Sequence, residues 1–434
     1  MKHSKLHVPV ILMLITLFLF SCEEKKNKDE YTINQGARDA LYEIMNQYYY
    51  WYKEMPVVDV KKYDDPFTLL EAMRYLPIDR WSFVYDYRAF LSEMQGEFFG
   101  HGFSLGLDAD GNARIVMIYD NAQLYQAGVR RGWIVKTILG YDIAKIIKEN
   151  DVNTYNNIMK NSSAEFVLED PEGNTVTATS TRSSFTVNTV LHYDTLQLQS
   201  GVAGHLVLES FIATTAPELK EAFTFFKANN VSSLIVDLRY NGGGYLSLAD
   251  SLASYMAGNS RAGQVFVSTQ YNDLCSSKDT SYCLRSSNYA LNISKAVFIT
   301  SRSTASASES VINGLEPYLQ VTLVGDTTHG KPTGMDGWVY RNKYVYYPVT
   351  FVLVNAEGNG DYFDGMAPDI LCADDITHDF SDRNEACLAA AINYLETGNT
   401  ESGKGFVKTP VLSEKSELTN NLFLDDNFKF IGRE

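Results

Sequence analysis

From about residue 183 the chain alternates between short apolar, β-branched runs and helical stretches, and this constrains its fold more than any other feature. Gly204–Leu208, Ser233–Leu238 and Ala296–Thr300 each read as a strand. Each is followed by a helical stretch: Ala216 to about Lys227, Ser247–Met256, and the segment opening at Ser306. Strand then helix, repeated, argues an α/β layer. Of the chain's 434 residues, this layer takes about 183–400. The rest leaves room for one or two further domains.

Composition narrows the classes. With 45% apolar and 21% charged residues this is an ordinary globular chain. Five cysteines are too few for a disulfide-knit scaffold. Lys and Arg number 37 against 53 Asp and Glu, a net charge of −16, so no basic footprint for nucleic acid is present.

The first residues read as an export signal. Lys2, His3 and Lys5 precede a nearly unbroken apolar run from Val8 to Phe20, and Leu19-Phe20-Ser21-Cys22 follows. A small residue before a cysteine at this place resembles a bacterial lipoprotein processing site. The resemblance implies removal of residues 1–21 and lipidation of Cys22. Residues 22–34 then form a tether, since Glu23–Glu30 is charged and lacks apolar residues. The body is expected in the bacterial cell envelope, lipid-anchored to a membrane and facing the periplasm or the cell surface. In that compartment Cys275, Cys283, Cys372 and Cys387 could form two bridges, most simply Cys275–Cys283 and Cys372–Cys387; free buried thiols are the alternative.

Residues 35–95 read as a helical region. Ala37, Leu41, Ile44, Met45, Tyr48 and Trp51 recur at helical spacing, and Asp65-Pro66 supplies an N-cap and a first-turn proline for a second helix. Tyr48–Tyr52 is expected to be core plus interface, with a carbohydrate or peptide platform as the alternative. Residues 98–182 change to short β-branched runs punctuated by glycines, with strands expected at Ala113–Ile118 and Gly132–Ile138 and a hairpin across Pro171–Asn174. Ser104-Leu105-Gly106-Leu107 and Ala127–Gly132 make this segment resemble a PDZ domain. In such a domain Leu105, Gly106 and Leu107 belong to the loop that binds a peptide carboxylate, and the peptide adds as a strand. Trp133 and Leu139 depart from the family's usual Asp and Asn. Residues 401–434 read as a polar tail.

Three segments carry chemistry. Asp237-Leu238-Arg239-Tyr240-Asn241-Gly242-Gly243-Gly244 ends a strand, and its glycines would let backbone N–H groups converge on a small anion. Asp237 and Arg239 read as clamps on that loop. Ser306-Ala307-Ser308-Glu309 matches a helix capping box, which is a structural explanation in itself. Its position after a strand also presents Ser306 Oγ where helix N–H groups favour negative charge. Lys331, between Gly330 and Pro332, lies in an apolar stretch; a lysine taken out of water gives up its proton more readily and can serve as a base.

Together these segments resemble the S41 peptidases, the carboxy-terminal processing proteases. The motifs are Asp-Leu-Arg-x-Asn-x-Gly-Gly at Asp237–Gly244, Ser-Ala-Ser-Glu at Ser306–Glu309, Gly-Lys at Gly330-Lys331, and Gly-x-x-Pro-Asp at Gly365–Asp369. Lys331 follows Ser306 by 25 residues, the family's spacing. The resemblance implies an α/β, crotonase-like catalytic core within an α+β multidomain chain, together with the PDZ-like domain and a helical N-terminal cap. It implies Ser306 as nucleophile, Lys331 as its general base, and the N–H groups of Gly242, Gly243 and Ala307 as an oxyanion hole, with Asn241 and Glu309 in support. Where the family often has a glutamine that orients the lysine, Met335 stands; Ser308, Thr333 or a backbone carbonyl could take over. His329 also invites a Ser–His reading.

The function expected is a membrane-tethered serine endopeptidase that cuts peptides or unfolded proteins through an acyl-enzyme. The alternative is a peptide- or ligand-binding module on a degenerate fold of the same kind. No cofactor is needed for this chemistry. No metal cluster is visible, the seven histidines being scattered along the chain.

Overall fold

The computed structural model describes residues 31–400. Signal residues 1–21, Cys22, the tether up to residue 30 and the tail from 401 lie outside the described residues. A helix already runs over residues 31–48, so the last residues assigned to the tether are helical. Among the described residues no helix is long and apolar enough to cross a membrane.

The expected α/β layer is a six-stranded sheet. Its strands are β1 (Val190–Leu198), β2 (Gly201–Leu208), β3 (Ser233–Asp237), β4 (Lys295–Thr300), β5 (Gln320–Gly325) and β6 (Ile370–Leu371), in that spatial order. β2 to β6 are parallel neighbours, and β1 is an antiparallel edge strand. The connecting helices are α1 (Thr215–Ala228), α2 (Leu246–Ala257) and α3 (Ala307–Leu315), followed by α4 (Ala386–Thr397). The strands read as near-continuous apolar runs because both faces are covered. Leu206, Leu234, Val236 and Phe298 face one core with α1 to α3, while Ala203, Ile235, Val297 and Ile299 face α4.

A second, antiparallel sheet joins Thr280–Cys283, Val265–Tyr271, Val349–Asn355 and Thr333–Met335. Its Phe266, Val267, Phe351 and Leu353 share the first core with α3. α3 is buried at all nine positions, which sequestration between two sheets explains.

The N-terminal region is helical, with helices at 31–48, Pro66–Met73 and Tyr87–Met94. The Asp65 side chain caps the second helix, accepting from Thr68 N at 2.8 Å. This region is not self-contained. Its strand Phe83–Asp86 pairs with Tyr344–Tyr347, and Leu41, Met45, Tyr49 and Trp51 pack in one cluster with Met335, Tyr346 and Val349. Tyr49 is fully buried and donates to Asp79 Oδ2 at 2.8 Å, so the aromatic run is core.

Residues 103–181 form a β-rich body with strand order Phe103–Leu107, Ala113–Ile118, Ile134–Ile138, Ser163–Glu169, Thr175–Thr181. The expected hairpin is present, with Glu169 opposite Thr175. Leu105, Gly106 and Leu107, expected in a loop, lie instead in the edge strand Phe103–Leu107, in register with Ile115, Arg114 and Ala113. This body touches the core at residues 374–378. Gly132, at φ +90°, approaches Thr377 so closely that an added Cβ would lie 2.8 Å from its carbonyl oxygen.

All four cysteines of the described body are free thiols, so neither expected bridge is formed. Cys275 is buried and its thiol donates to Gln47 O at 3.5 Å, whereas Cys283 is exposed. The Cys372 and Cys387 thiols both donate to Ala373 O, at 3.5 and 3.4 Å.

Candidate active site

The three motifs meet because β3, β4 and β5 are adjacent and parallel. The Asp237–Gly244 loop, the Ser301–Ser306 loop and the Asp326–Pro332 loop therefore leave the sheet side by side, at the carboxyl ends where open α/β sheets hold their ligands. Hydrogen bonds lace the loops together. Thr304 Oγ1 donates to Leu238 O (2.8 Å), Ala305 N to Asn241 O (3.1 Å), and His329 N to Thr304 O (2.8 Å).

Ser306 stands at the turn from β4 into α3 with φ +62° and ψ −116°. A non-glycine residue costs about 1–3 kcal/mol in such a region and persists only where its surroundings impose it. The capping box is present in outline, but hydrogen bonding closes only its Glu309 half: Ser306 N–H donates to Glu309 Oε2 at 2.9 Å. Ser306 Oγ sits in the capping position, fully buried, without a hydrogen-bond partner among the described residues.

Glu309 is the hub. Its Oε2 also accepts from Lys331 N (2.9 Å), and its Oε1 from Gly330 N (2.7 Å) and Thr328 Oγ1 (2.6 Å). One fully buried carboxylate thus joins the start of α3 to the lysine loop. Burial raises the Glu309 pKa above the ordinary range, and these hydrogen bonds offset only part of that. Lys331 is itself fully buried. Gly330 at φ +89° can admit no side chain, since a Cβ would lie 2.3 Å from Phe363 O.

The glycine loop lies against Ser306: a Cβ on Gly243 would lie 2.8 Å from Ser306 Cβ and 3.1 Å from Ala307 N. One expected donor is corrected. Gly243 N–H donates to Asn241 Oδ1 at 2.9 Å, while Asn241 Nδ2 donates to Leu208 O at 3.0 Å. Asn241 therefore braces the loop and occupies that N–H. Among the described residues Gly242 N–H and Ala307 N–H have no acceptor.

Arg239, 2% exposed, is held by three carboxylates. It donates to Asp237 Oδ2 (2.7 Å), Glu385 Oε1 (2.7 Å) and Asp374 Oδ1 (2.8 Å). Arg131 of the β-rich body reaches the same Asp374 oxygen at 3.0 Å and also donates to Tyr240 Oη at 2.7 Å. Burial would raise the Asp374 pKa, but Arg131 and Arg239 hold it below the usual carboxylate range. Asp374, Glu385 and Arg131 had no local signature, because they meet only through the tertiary fold.

Met335 is fully buried in the cap cluster and offers no strong acceptor. Ser308 Oγ donates to Asn241 O at 3.1 Å. Thr333 Oγ1, two residues after Lys331, is buried without a hydrogen-bond partner among the described residues. His329 Nε2 accepts from the cap's Trp81 Nε1 at 3.2 Å, an engagement that a Ser–His pairing would have to break. Beside this loop a cleft of about 510 Å³ is lined by Phe67, Arg74, Arg80, Trp81 and His329.

Comparison with known proteins agrees with this architecture. Residues 203–372 match the family model for peptidase family S41, and residues 36–83 match that for the peptidase S41 N-terminal domain. The chain is 26% identical over 282 residues to the chloroplastic C-terminal processing peptidase of Tetradesmus obliquus, covering 62% of this chain and 56% of that one. It is 22% identical over 247 residues to carboxy-terminal processing protease CtpB of Bacillus subtilis (strain 168), covering 57% and 49%. It thus spans about half the length of these relatives. A candidate S41 protease from Bacteroides fragilis NCTC 9343, known from a crystal structure, shares the fold with a TM-score of 0.69 at 23% identity, covering 82% of this chain and 96% of that one. The motif loops, the sheet that carries them and both family matches place this chain in peptidase family S41.

Proposed function

We propose that this protein is a serine endopeptidase acting through a Ser306–Lys331 dyad. The observation that carries the reading is the shared Glu309 carboxylate, which ties a strained, buried serine with a hydrogen-bond-free Oγ to a buried lysine. Lys331 takes the Ser306 proton as Oγ attacks the scissile carbonyl. Gly242 and Ala307 N–H groups receive the oxyanion, the amine leaves with the proton, and water then hydrolyses the acyl-enzyme. Thr333 Oγ1, buried two residues after Lys331 and not hydrogen-bonded among the described residues, is the side-chain oxygen available to orient the lysine in place of the glutamine.

Both reactive residues are fully buried. Substrate therefore enters only when a covering segment moves; Arg80, which donates to His329 O at 3.1 Å, and Trp81, which donates to His329 Nε2, hold the loop that carries Lys331. The β-rich body is read as a PDZ-like domain. Its free edge, Phe103–Leu107, is where an extended peptide would add, and its Arg131 contact with Asp374 would transmit that event to the Arg239 clamp. The protein is further proposed to be anchored through Cys22 in the bacterial envelope, acting on peptides or unfolded proteins.

Met335 favours a second reading, a peptide-binding module without turnover, because a buried thioether stands where the family often has a glutamine. Cleavage of a chemically unfolded protein by wild type, Ser306→Ala and Lys331→Ala separates the two. Proteolysis by wild type that both variants lose supports the enzyme; equal behaviour of all three refutes it.

A further inference from the structure

On the edge hairpin of the core sheet the geometry points to a metal site, formed by His192, Asp194 and His205, that takes a divalent transition-metal ion of the zinc class. The site follows from register. Asp194 of β1 lies directly opposite His205 of β2, and His192 is two residues back along β1, hence on the same face of the sheet. One ligand atom from each of the three lies within 4.8 Å of the others. Asp194 Oδ2 is 3.4 Å from His192 Nε2, and Asp194 Oδ1 is 3.6 Å from His205 Nδ1. Donors 2.0–2.1 Å from a tetrahedral ion stand roughly 3.3 Å apart, so the two contacts of Asp194 are already near that spacing, and the histidine pair, within 4.8 Å, closes on the ion.

The second observation is unpaired polarity. His205 is fully buried, and both of its ring nitrogens lack a hydrogen-bond partner among the described residues, as do His192 Nε2 and Asp194 Oδ1. The histidines' contacts with Asp194 are at ion-pair distance and are not hydrogen bonds, and buried polar atoms are ordinarily hydrogen-bonded. An ion satisfies three of these atoms at once. His192 and Asp194 are 27% and 34% exposed, which gives the ion an entry path and leaves a coordination position for water. Two imidazoles and one carboxylate suit Zn²⁺, Fe²⁺, Co²⁺ or Ni²⁺ rather than Mg²⁺ or Ca²⁺. An ion bound here pins β1 to β2. Three residues after His205, β2 ends at Leu208, whose carbonyl receives Asn241 Nδ2 of the glycine loop. The role is therefore structural support for that loop.

Chelator-treated full-length protein is titrated with Zn²⁺ by calorimetry, and with Co²⁺ by visible absorption. The expected result is one ion per chain and a Co²⁺ ligand-field band without thiolate charge transfer. An upward shift in melting temperature that EDTA reverses should accompany it. His192→Ala and Asp194→Asn, both partly exposed, should each fold and lose affinity by more than about a hundred-fold. No stoichiometric uptake overturns the proposal. So does uptake that both variants retain, or a thiolate band, which would place the ion on cysteine.

Discussion

The backbone N–H groups of Ser306 and Lys331 donate to one and the same carboxylate oxygen, Glu309 Oε2, each at 2.9 Å. The two residues are 25 positions apart in sequence, yet this oxygen holds their nitrogens less than two hydrogen-bond lengths from each other. Glu309→Gln tests its importance. The amide presents N–H where carboxylate oxygens now receive four donors, so at least one buried donor is stranded. The expected cost is about 1–3 kcal/mol in urea unfolding, with a fall in kcat larger than any rise in KM. A variant as stable and active as wild type would show that the carboxylate does not hold the dyad.

Gly243 has no room for a side chain at φ +109°, where a Cβ would press on Ser306 Cβ at 2.8 Å and Ala305 O at 3.0 Å. Gly243→Ala must therefore push the Ser306 turn away. Displacements of this kind can cost roughly 100-fold in rate. Peptidase assays should show that loss while circular dichroism shows the fold retained; full activity would mean the loop does not set the position of Ser306.

Arg239→Met removes the shared partner of Asp237 and Glu385, both buried. Breaking a buried pair from one side costs about 3–5 kcal/mol, to be read from denaturant midpoints. Arg131→Met should cost less, because Asp374 keeps Arg239 and Tyr240. It should chiefly loosen the β-rich body, seen as faster proteolytic nicking between residues 182 and 190. Equal costs for the two variants would contradict this division.

Glu209 supplies the pH dependence. Burial pushes its carboxyl up to about 7 from an ordinary value of 4.5, and the nearby Glu218 adds to the rise. A carboxyl whose folded pKa exceeds its unfolded pKa binds its proton more tightly when folded. Stability is therefore lost as pH rises from about 4.5 to about 7. Glu209→Gln should abolish that slope and be more stable than wild type at pH 8 by on the order of 1–3 kcal/mol. An identical difference between the two proteins at pH 5 and pH 8 would rule this origin out.

What the sequence disclosed follows the length scale of each interaction. β3, β4 and the strand Ala113–Ile118 were legible because buried strands read as apolar runs; the Asp65 cap and the Glu169–Thr175 hairpin were legible because they are local. Ser306, Lys331 and the glycine loop were legible as motifs. The second sheet was not, since Val265–Tyr271 finds its partner Val349–Asn355 about 80 residues later, and no local pattern encodes that pairing. For the same reason the Arg131–Asp374–Arg239–Glu385 network was invisible. The proposed metal site was equally hidden: His192, Asp194 and His205 look scattered until the β1–β2 register places them on one face. The direction of Gly243 N–H depended on the Asn241 side chain, which a residue pattern cannot orient.

The central claim is that Ser306 is a nucleophile activated by Lys331, and covalent trapping tests it most directly. Wild type, Ser306→Ala and Lys331→Ala are incubated with a serine-reactive phosphonate and analysed by intact mass and peptide mapping. The account predicts a single adduct on Ser306, none in Ser306→Ala, and labelling slowed by at least about 100-fold in Lys331→Ala. Absence of an adduct at Ser306 in wild type, or labelling of Lys331→Ala at the wild-type rate, would contradict it.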